Sequence, residues 1–251
     1  EKEWHIFVTL YISKMQEVKN KINTLLEESY AVRTSNLDKS IEFTKEALIL
    51  CNDGNFEHLK AKALSQLSLY YMIVGKYDES YNLSQKSIHL FEKFNDEKGI
   101  ADAKYSIAGF YYKTNNFQMG VVYLIDALLI YKKENDFHNI SRCEKSLGTV
   151  YDFSGDEQKS IQSYKNAIKA AKKVNDLNLE SNAYNNLSSI YLKKGNVDLA
   201  KETIEKSISY KQKTEDIRGL AFAIYGSGKI NLVEKKYAEA EADFYEAISI
   251  H

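Results

Sequence analysis

Short segments of this 251-residue chain repeat at a fixed distance of 40 residues, and this period constrains the fold more than any other feature. Tyrosines recur at one register, and small residues recur at two others. The aligned rows are Tyr71, Tyr111, Tyr151 and Tyr191; Ala63, Ala103, Cys143, Ala183 and Ala223; and Ser40, Ser80, Gly120, Ser160, Ala200 and Ala240. No insertion or deletion interrupts them. Such self-similarity is the signature of stacked supersecondary units, so we predict a repeat array.

Each period has the pattern of two amphipathic helices. The inward positions of one period are Ala183, Leu187, Ile190 and Tyr191 in the first helix and Ala200, Ile204, Ser207 and Ile208 in the second. Their i, i+4, i+7 spacing is typical of one helical face. Gly75, Gly155 and Gly195, with Asn115, are expected to end first helices, because these residue types tolerate left-handed backbone. The pairs Asn95-Asp96, Asn135-Asp136, Asn175-Asp176 and Glu215-Asp216 are expected to end second helices and cap the next one.

Composition excludes several other fold classes. The chain has no proline and only 11 glycines, whereas 44% of its residues are hydrophobic. Collagen-like, linker-like and disordered chains need more proline and glycine or fewer apolar residues. An all-β fold needs many tight turns, which glycine and proline supply. The prediction is therefore an all-α fold of long helices with short connections.

The repeat resembles the tetratricopeptide (TPR) family. Its L-G-x-x-Y segment appears as Leu147-Gly148-Thr149-Val150-Tyr151 and is followed by Ser160, Tyr164 and Ala167. The resemblance implies a right-handed α-α superhelix of helix hairpins. This chain departs from the common repeat in its 40-residue period and in lacking the proline that usually closes the second helix. Asn52, Glu92, Lys132, Lys172 and Gln212 stand at that register. Similar long repeats occur in bacterial Rap-type regulators and in the TPR sensor regions of bacterial signalling proteins.

The two ends of the chain differ from the repeats between them. Residues 1–33 are expected to form an N-terminal helical cap or a degenerate repeat, because Glu27 and Ala31 stand where Leu and Tyr recur. Residues 34–251 are expected to form about five and a half repeat units. Ala240, Phe244, Ala247 and Ile248 in the last helix are expected to need a further helix to cover them, so we expect the array to continue past His251.

No motif in the sequence indicates catalysis, and neither a cofactor nor a metal is expected. The five histidines and two cysteines, Cys51 and Cys143, match no ligand spacing. Cys143 belongs to a row of small residues and is expected to be buried. The segment from Gly226 to Lys229 is similar to part of a phosphate loop but lies within a predicted helix, so we expect a structural role. The net charge of −1 favours neither nucleic acid nor direct membrane contact.

Binding is the function that the pattern favours. In TPR proteins the first helix of each unit lines the concave side, and that resemblance identifies polar and aromatic groove residues here. The candidate groove residues are Tyr105, Arg142, Lys145, Asn182, Asn185, Asn186, Ser189 and Tyr225. Asparagine can donate to and accept from a peptide main chain, and Arg or Lys can hold a carboxylate.

We therefore expect a protein- or peptide-binding module that serves as the sensor or scaffold region of a larger bacterial signalling protein. A Rap-like quorum-sensing regulator, which binds a short peptide and a response regulator, is one alternative. An oligomerisation spacer that self-associates through the uncovered last helix is another. The expected location is the cytoplasm, with a periplasmic sensor region as the alternative.

Overall fold

A computed structural model describes residues 2–33 and 35–250, in which twelve helices and no strand occur. The helices are α1 (Lys2–Val32), α2 (Leu37–Asp53), α3 (Glu57–Ile73), α4 (Tyr77–Lys93), α5 (Glu97–Lys113), α6 (Phe117–Lys133), α7 (Phe137–Phe153), α8 (Glu157–Lys173), α9 (Leu177–Lys193), α10 (Val197–Lys213), α11 (Ile217–Val233) and α12 (Tyr237–Ile250). The all-α prediction is confirmed.

The 40-residue period has a simple origin in helix length. Each helix from α2 to α11 has 17 residues, and three residues join each one to the next. A helix and its linker therefore take 20 residues, and a hairpin takes 40. The register of the missing proline falls in the last turn of each even-numbered helix from α2 to α10. Proline would break the backbone hydrogen bonding there, so its absence is consistent with second helices as long as the first.

The middle residue of each linker after α2 has left-handed backbone. These residues are Asn55, Gly75, Asn95, Asn115, Asn135, Gly155, Asn175, Gly195, Glu215 and Lys235. Glycine and asparagine tolerate this conformation best. The predicted helix ends at Gly75, Gly155, Gly195 and Asn115 are confirmed.

The second residue of each predicted helix-ending pair caps the next helix. The carboxylates of Asp96, Asp136, Asp176 and Asp216 each accept a hydrogen bond from the backbone N–H three residues further on. Each bond satisfies one of the free N–H groups at a helix start. The predicted caps are therefore confirmed. Asp156 and Asn196 cap α8 and α10 in the same way.

The helices form two compact units, Glu1–Ile130 and Tyr131–His251. In the first unit the odd-numbered helices α1, α3 and α5 pack side by side; α2 contacts α1 and α3, and α4 contacts α3 and α5. In the second unit α7, α9 and α11 pack side by side, flanked by α8, α10 and α12. The predicted boundary between residues 33 and 34 adjoins Thr34, which lies outside the described residues, and that division stays a prediction.

Small residues allow the helices of a hairpin to approach closely. Ala63, Ala103, Cys143, Ala183 and Ala223 are all fully buried, which confirms the packing role predicted for Cys143. Where the small residue is serine, its hydroxyl bonds to the facing helix. Ser160 Oγ donates to the carbonyl oxygen of Gly148 at 2.8 Å, and Ser188 Oγ donates to that of Ala200 at 2.7 Å. These bonds satisfy hydroxyls that would otherwise be costly to bury.

The last helix is better covered than its sequence indicates. Ala240 and Ala247 are buried, and Phe244 is half-buried. A Cβ atom added to Gly228 would come within 2.6 Å of the Phe244 ring, so that ring packs directly on α11. Helix α11 already buries the two alanines and partly covers Phe244, and the expectation that the array continues past His251 stays a prediction. Ile248, at 74% exposure, is the residue of the set that faces solvent.

Candidate functional site

Seven of the eight candidate groove residues lie on α7, α9 and α11 of the second unit. Equivalent residues on these three helices are 40 positions apart, and the helices pack side by side. Their open sides therefore adjoin and form one surface, which we call the candidate face. The eighth residue, Tyr105, lies half-buried on α5 of the first unit.

Helix α9 supplies the centre of the candidate face. Asn182, Asn185, Asn186 and Ser189 have i, i+3, i+4, i+7 spacing, which places them on one side of a helix. The amides of Asn185 and Asn186 are half-buried, and within the described residues neither makes a hydrogen bond in the protein. Two amides with free donors and acceptors are therefore held side by side.

Asn182 differs from its neighbours because its amide oxygen already has a partner. Lys211 Nζ donates to Asn182 Oδ1 at 2.8 Å and lies 2.5 Å from Asp216 Oδ2. The Lys211 side chain is 2% exposed. It reaches from the end of α10 to α9 and to the cap of α11, so Asn182 helps to hold this buried ammonium. Sequence reasoning missed Lys211, which lies in a second helix and outside the rows of similar residues.

Gly219 leaves the space that the Lys211 side chain occupies. A Cβ atom at residue 219 would lie 2.7 Å from Lys211 Nζ. Burial alone would raise the pKa of Asp216, but hydrogen bonds from Lys211 and from the Gly219 N–H, together with the lysine charge, lower that pKa below its ordinary value. The ionised carboxylate is therefore the form that the structure stabilises.

Helix α7 adds two cations to the candidate face. Arg142 Nη1 donates to Asn139 Oδ1 at 2.9 Å within the same helix, which orients the guanidinium. Lys145 lies one turn further on and is half-buried. Its ammonium forms no ion pair in the described part of the chain. Lys145 is therefore the better available donor for an external carboxylate.

Helix α11 contributes an aromatic surface. Tyr225 is 51% exposed, and its ring centroid lies 5.4 Å from that of Phe244 on α12. Lys229 Nζ lies 5.8 Å from the centre of the Tyr225 ring. Phe222, one turn earlier, is 59% exposed. Phe222 stands 40 residues after Asn182 and 80 after Arg142, and although it was not among the predicted site residues, its exposed ring makes it an equal candidate.

The carboxyl groups with raised pKa lie away from the candidate face. Burial raises the pKa of Glu144 and Glu180, although Lys132 and Lys172 oppose the shift. Both side chains are buried on the packed sides of α7 and α9. Glu180 Oε2 has no hydrogen-bond partner. Raised pKa values in a cleft would mark acid–base candidates, but these two groups face neighbouring helices instead.

The other candidate reactive groups are structural. Gly226 to Lys229 lie within α11, as expected. Both cysteines are buried and free, and burial raises the pKa of Cys51 to about 11 despite the charge of Lys60. Within residues 2–33 and 35–250, no group of three or more His, Cys, Asp or Glu residues could hold a metal ion. In the same residues, no helix combines the length and the apolar character that crossing a membrane requires.

The helix hairpins and their packing define the class: an all-α TPR-like solenoid. Residues 146–174 and 181–214 match the tetratricopeptide repeat family. These segments cover α8, α10, most of α9 and the last eight residues of α7, and so include the amide-bearing side of α9 but neither Arg142 nor Lys145. The TPR resemblance inferred from the sequence is confirmed. No curated protein sequence matches the chain.

Solved structures that are similar to the chain over most of its length include the following three proteins. A signal transduction ATPase with a tetratricopeptide repeat sensor from Pyrococcus horikoshii is 22% identical to this chain, with a TM-score of 0.74. The match covers 100% of this chain and 39% of the ATPase chain. A Rap protein complexed with competence and sporulation factor is 15% identical, with a TM-score of 0.75, and the match covers 96% of this chain and 79% of the Rap chain. NprR in complex with its cognate peptide NprX is 15% identical with a TM-score of 0.69, covering 99% and 74%. At these identities the likeness shows the fold.

Proposed function

We propose that this chain is a protein- or peptide-binding TPR module and that its ligand lies on the candidate face. The observation that carries the proposal is the pair of half-buried amides, Asn185 and Asn186, whose donors and acceptors have no partner in the described residues. Their amide atoms are open to solvent, and each amide can both donate and accept. A bound peptide main chain would replace water at these groups in pairs.

The candidate face also fits a ligand with a defined order of groups. Lys145 offers a cation at one side, Asn185 offers an amide at the centre, and Tyr225 offers an exposed ring at the other side. Packed helices are about 8–10 Å apart, so the three residues span about 20 Å. An extended chain covers about 3.3 Å per residue. The face therefore suits a peptide of about six residues, with a carboxylate towards α7 and an apolar side chain towards α11.

The signalling role is the finer part of the proposal. We infer that the chain is the sensor or scaffold region of a larger bacterial signal-transduction protein. The likeness to the TPR sensor of the Pyrococcus ATPase, which is much longer than this chain, supports this role. A Rap-like regulator is the second candidate, favoured by a similarity that covers most of both chains. Kinase, cyclase or ATPase motifs in the full-length sequence would favour the first candidate over the second.

Binding to an array of hexapeptides with free C-termini tests the proposal. We expect the Lys145→Ala/Asn185→Ala variant to bind every captured peptide at least tenfold more weakly than the wild-type chain. The matched control is Gln162→Ala/Lys165→Ala, which removes an amide and a cation from the exposed side of α8. Equal affinity of the wild-type chain and the α7/α9 variant would refute the candidate face.

Self-association through the last helix is a separate proposal. Tyr245 and Ile248 on α12 are 67% and 74% exposed. Ile248→Glu is the suitable test, since Phe244 packs on α11 and its substitution would disturb folding. Loss of concentration-dependent self-association in Ile248→Glu would support this role, and unchanged association would exclude it.

A further inference from the structure

The first helix is much longer than the others, and its first half is uncovered. Helix α1 has 31 residues, whereas α2 and α3, which pack on it, have 17 each. Ile22, Leu25 and Leu26 in the second half of α1 are buried in the core with α2 and α3. Trp4, Phe7, Leu10, Tyr11 and Ile12 in the first half are between 58% and 68% exposed.

Two of the exposed residues, Trp4 and Tyr11, continue the buried face of the same helix, and the ring of Phe7 stacks on that of Trp4 beside it. One stripe with alternating steps of four and three residues contains Trp4, Val8, Tyr11, Met15, Val18, Ile22, Leu25 and Ser29. Such steps keep residues on one side of a helix. Val18 packs against the core cluster that contains Ile22 and Leu25. The face of α1 that packs on α2 and α3 therefore extends beyond these two helices and is exposed to solvent there.

The opposite side of this segment is polar. His5, Thr9, Ser13 and Gln16 lie there, and Thr9 Oγ1 donates to the His5 carbonyl oxygen at 2.8 Å. Residues 4–13 contain no Asp, Glu, Lys or Arg. The segment therefore suits a partner that covers one side only. Lys14 and Glu17, the charged residues between Ser13 and Val18, lie outside the apolar stripe.

The exposed area is appropriate for a dimer. A fully buried aromatic side chain removes about 150–250 Å² from water, so Trp4, Phe7 and Tyr11 at their observed exposure offer about 350 Å². Val8 and Met15 on the same stripe are half-buried and add to this area. A standard interface buries about 800 Å² on each partner, and about 56–65% of that area is apolar. The uncovered face of α1 therefore supplies most of the apolar area of such an interface.

We propose that this face of α1 binds the same face of a second copy of the chain. A two-fold interface uses one surface twice, so it needs a self-complementary stripe. Antiparallel pairing centred on Tyr11 places Trp4 of each copy near Val18 of the other and keeps the two first units at opposite ends. This contact uses no residue of the candidate face and no residue of α12.

Trp4 is the single tryptophan of the chain and lies within the proposed interface. Analytical ultracentrifugation of the 251-residue protein and Trp4 emission over a concentration series test the proposal together. We expect a dimer and a concentration-dependent blue shift for the wild-type chain. Tyr11→Glu should weaken dimerisation at least tenfold and remove the shift. Thr9→Glu on the polar side of the same segment should leave both unchanged.

Tyr11 is exposed, so the circular dichroism spectrum of Tyr11→Glu should match the wild type, and the two melting temperatures should agree at concentrations where both proteins are monomers. A monomeric wild-type chain with concentration-independent Trp4 emission would overturn the proposal. Dimers dispersed by Ile248→Glu and not by Tyr11→Glu would also overturn it, since α12 would then be the interface. A Trp4 shift seen only with phosphatidylcholine/phosphatidylglycerol vesicles would identify a membrane surface instead and would likewise overturn it.

Discussion

The ring of Phe91 lies directly against the Cα of Gly99, where a Cβ atom would come within 2.5 Å of ring carbons Cδ1 and Cε1. This pair belongs to two rows that repeat every 40 residues. The first row is Cys51, Phe91, Tyr131, Ala171 and Lys211, and each member is at most 2% exposed. The second row is Leu59, Gly99, Asn139, Leu179 and Gly219. Large first-row residues coincide with glycine or asparagine, and small ones coincide with leucine. The two side chains of each pair therefore fill a similar total volume.

This sharing of volume predicts opposite effects of the same substitution at two glycines of α5. Gly99→Ala should destabilise the protein by about 1–3 kcal/mol, because the added methyl group overlaps the Phe91 ring. Gly109→Ala is the control, since its Cβ would make ordinary contacts with Met72 at 3.8 Å or more. Alanine is the better helix former, so this change should stabilise by about 0.5–1 kcal/mol. Urea denaturation measures both.

A double substitution tests the shared volume directly. Phe91→Ala alone should cost about 3–5 kcal/mol through the cavity it leaves. Adding Gly99→Leu should recover about 1–3 kcal/mol, because the pair then matches Cys51 with Leu59 and Ala171 with Leu179. Strict additivity of the two single effects would contradict the volume relationship.

The same rows explain what the sequence could and could not predict. Rows of similar residues, such as the buried small residues that begin with Ala63, can be recognised in the sequence. They correctly predict the helices and their core. The row of Phe91 and Lys211 is equally buried but holds five residue types, since its partner row compensates for size. No single-sequence pattern detects it. The 40-residue period is enough to predict which residues lie on the open side of α9. The hydrogen bond between Lys211 and Asn182 could not be predicted in this way, because it depends on contacts among three helices.

The buried ion pair predicts a large difference between two caps. Asp216→Asn keeps a helix cap but leaves the Lys211 ammonium buried without its counter-charge, which should cost about 3 kcal/mol. Asp156→Asn is the matched control, because Asp156 also caps a helix but pairs with the exposed Lys159. Its loss should be much smaller, because solvent screens an exposed ion pair. Chemical denaturation gives both values.

Lys211→Met separates the charge from the packing of that side chain. Methionine retains most of the volume and needs no counter-charge, so this variant should be as stable as the wild type or more stable. Equal losses in Asp216→Asn and Asp156→Asn would show that the ammonium does not depend on Asp216.

Acid titration should reveal the same carboxylates. Burial would raise the pKa of Asp96, but the Gly99 N–H and His58 hydrogen bonds and nearby positive charge lower it, as the Lys211 and Gly219 contacts do for Asp216. A carboxyl with a lowered folded-state pKa stabilises the fold above its unfolded-state pKa of about 3.9. That stability is lost as the pH falls through the lower folded-state value. The unfolding free energy should therefore decrease below about pH 4, and Asp96→Asn/Asp216→Asn should flatten the decrease. An unchanged slope would assign acid sensitivity to other groups.

Glu215 holds a left-handed backbone, with φ of 54°, at the linker position where glycine or asparagine stands in most other repeats. A left-handed residue with a Cβ atom costs about 1–2 kcal/mol, partly offset by the unfolded-state freedom of glycine. Glu215→Gly should therefore stabilise by about 0.5–1 kcal/mol and slow amide hydrogen exchange in α10 and α11. Gly155→Ala provides the reverse control: φ there is 83°, and an added Cβ would meet no atom within 4 Å. Its loss of about 1 kcal/mol would arise from backbone conformation alone. A destabilised Glu215→Gly would mean that the glutamate side chain contributes more than its strained backbone costs.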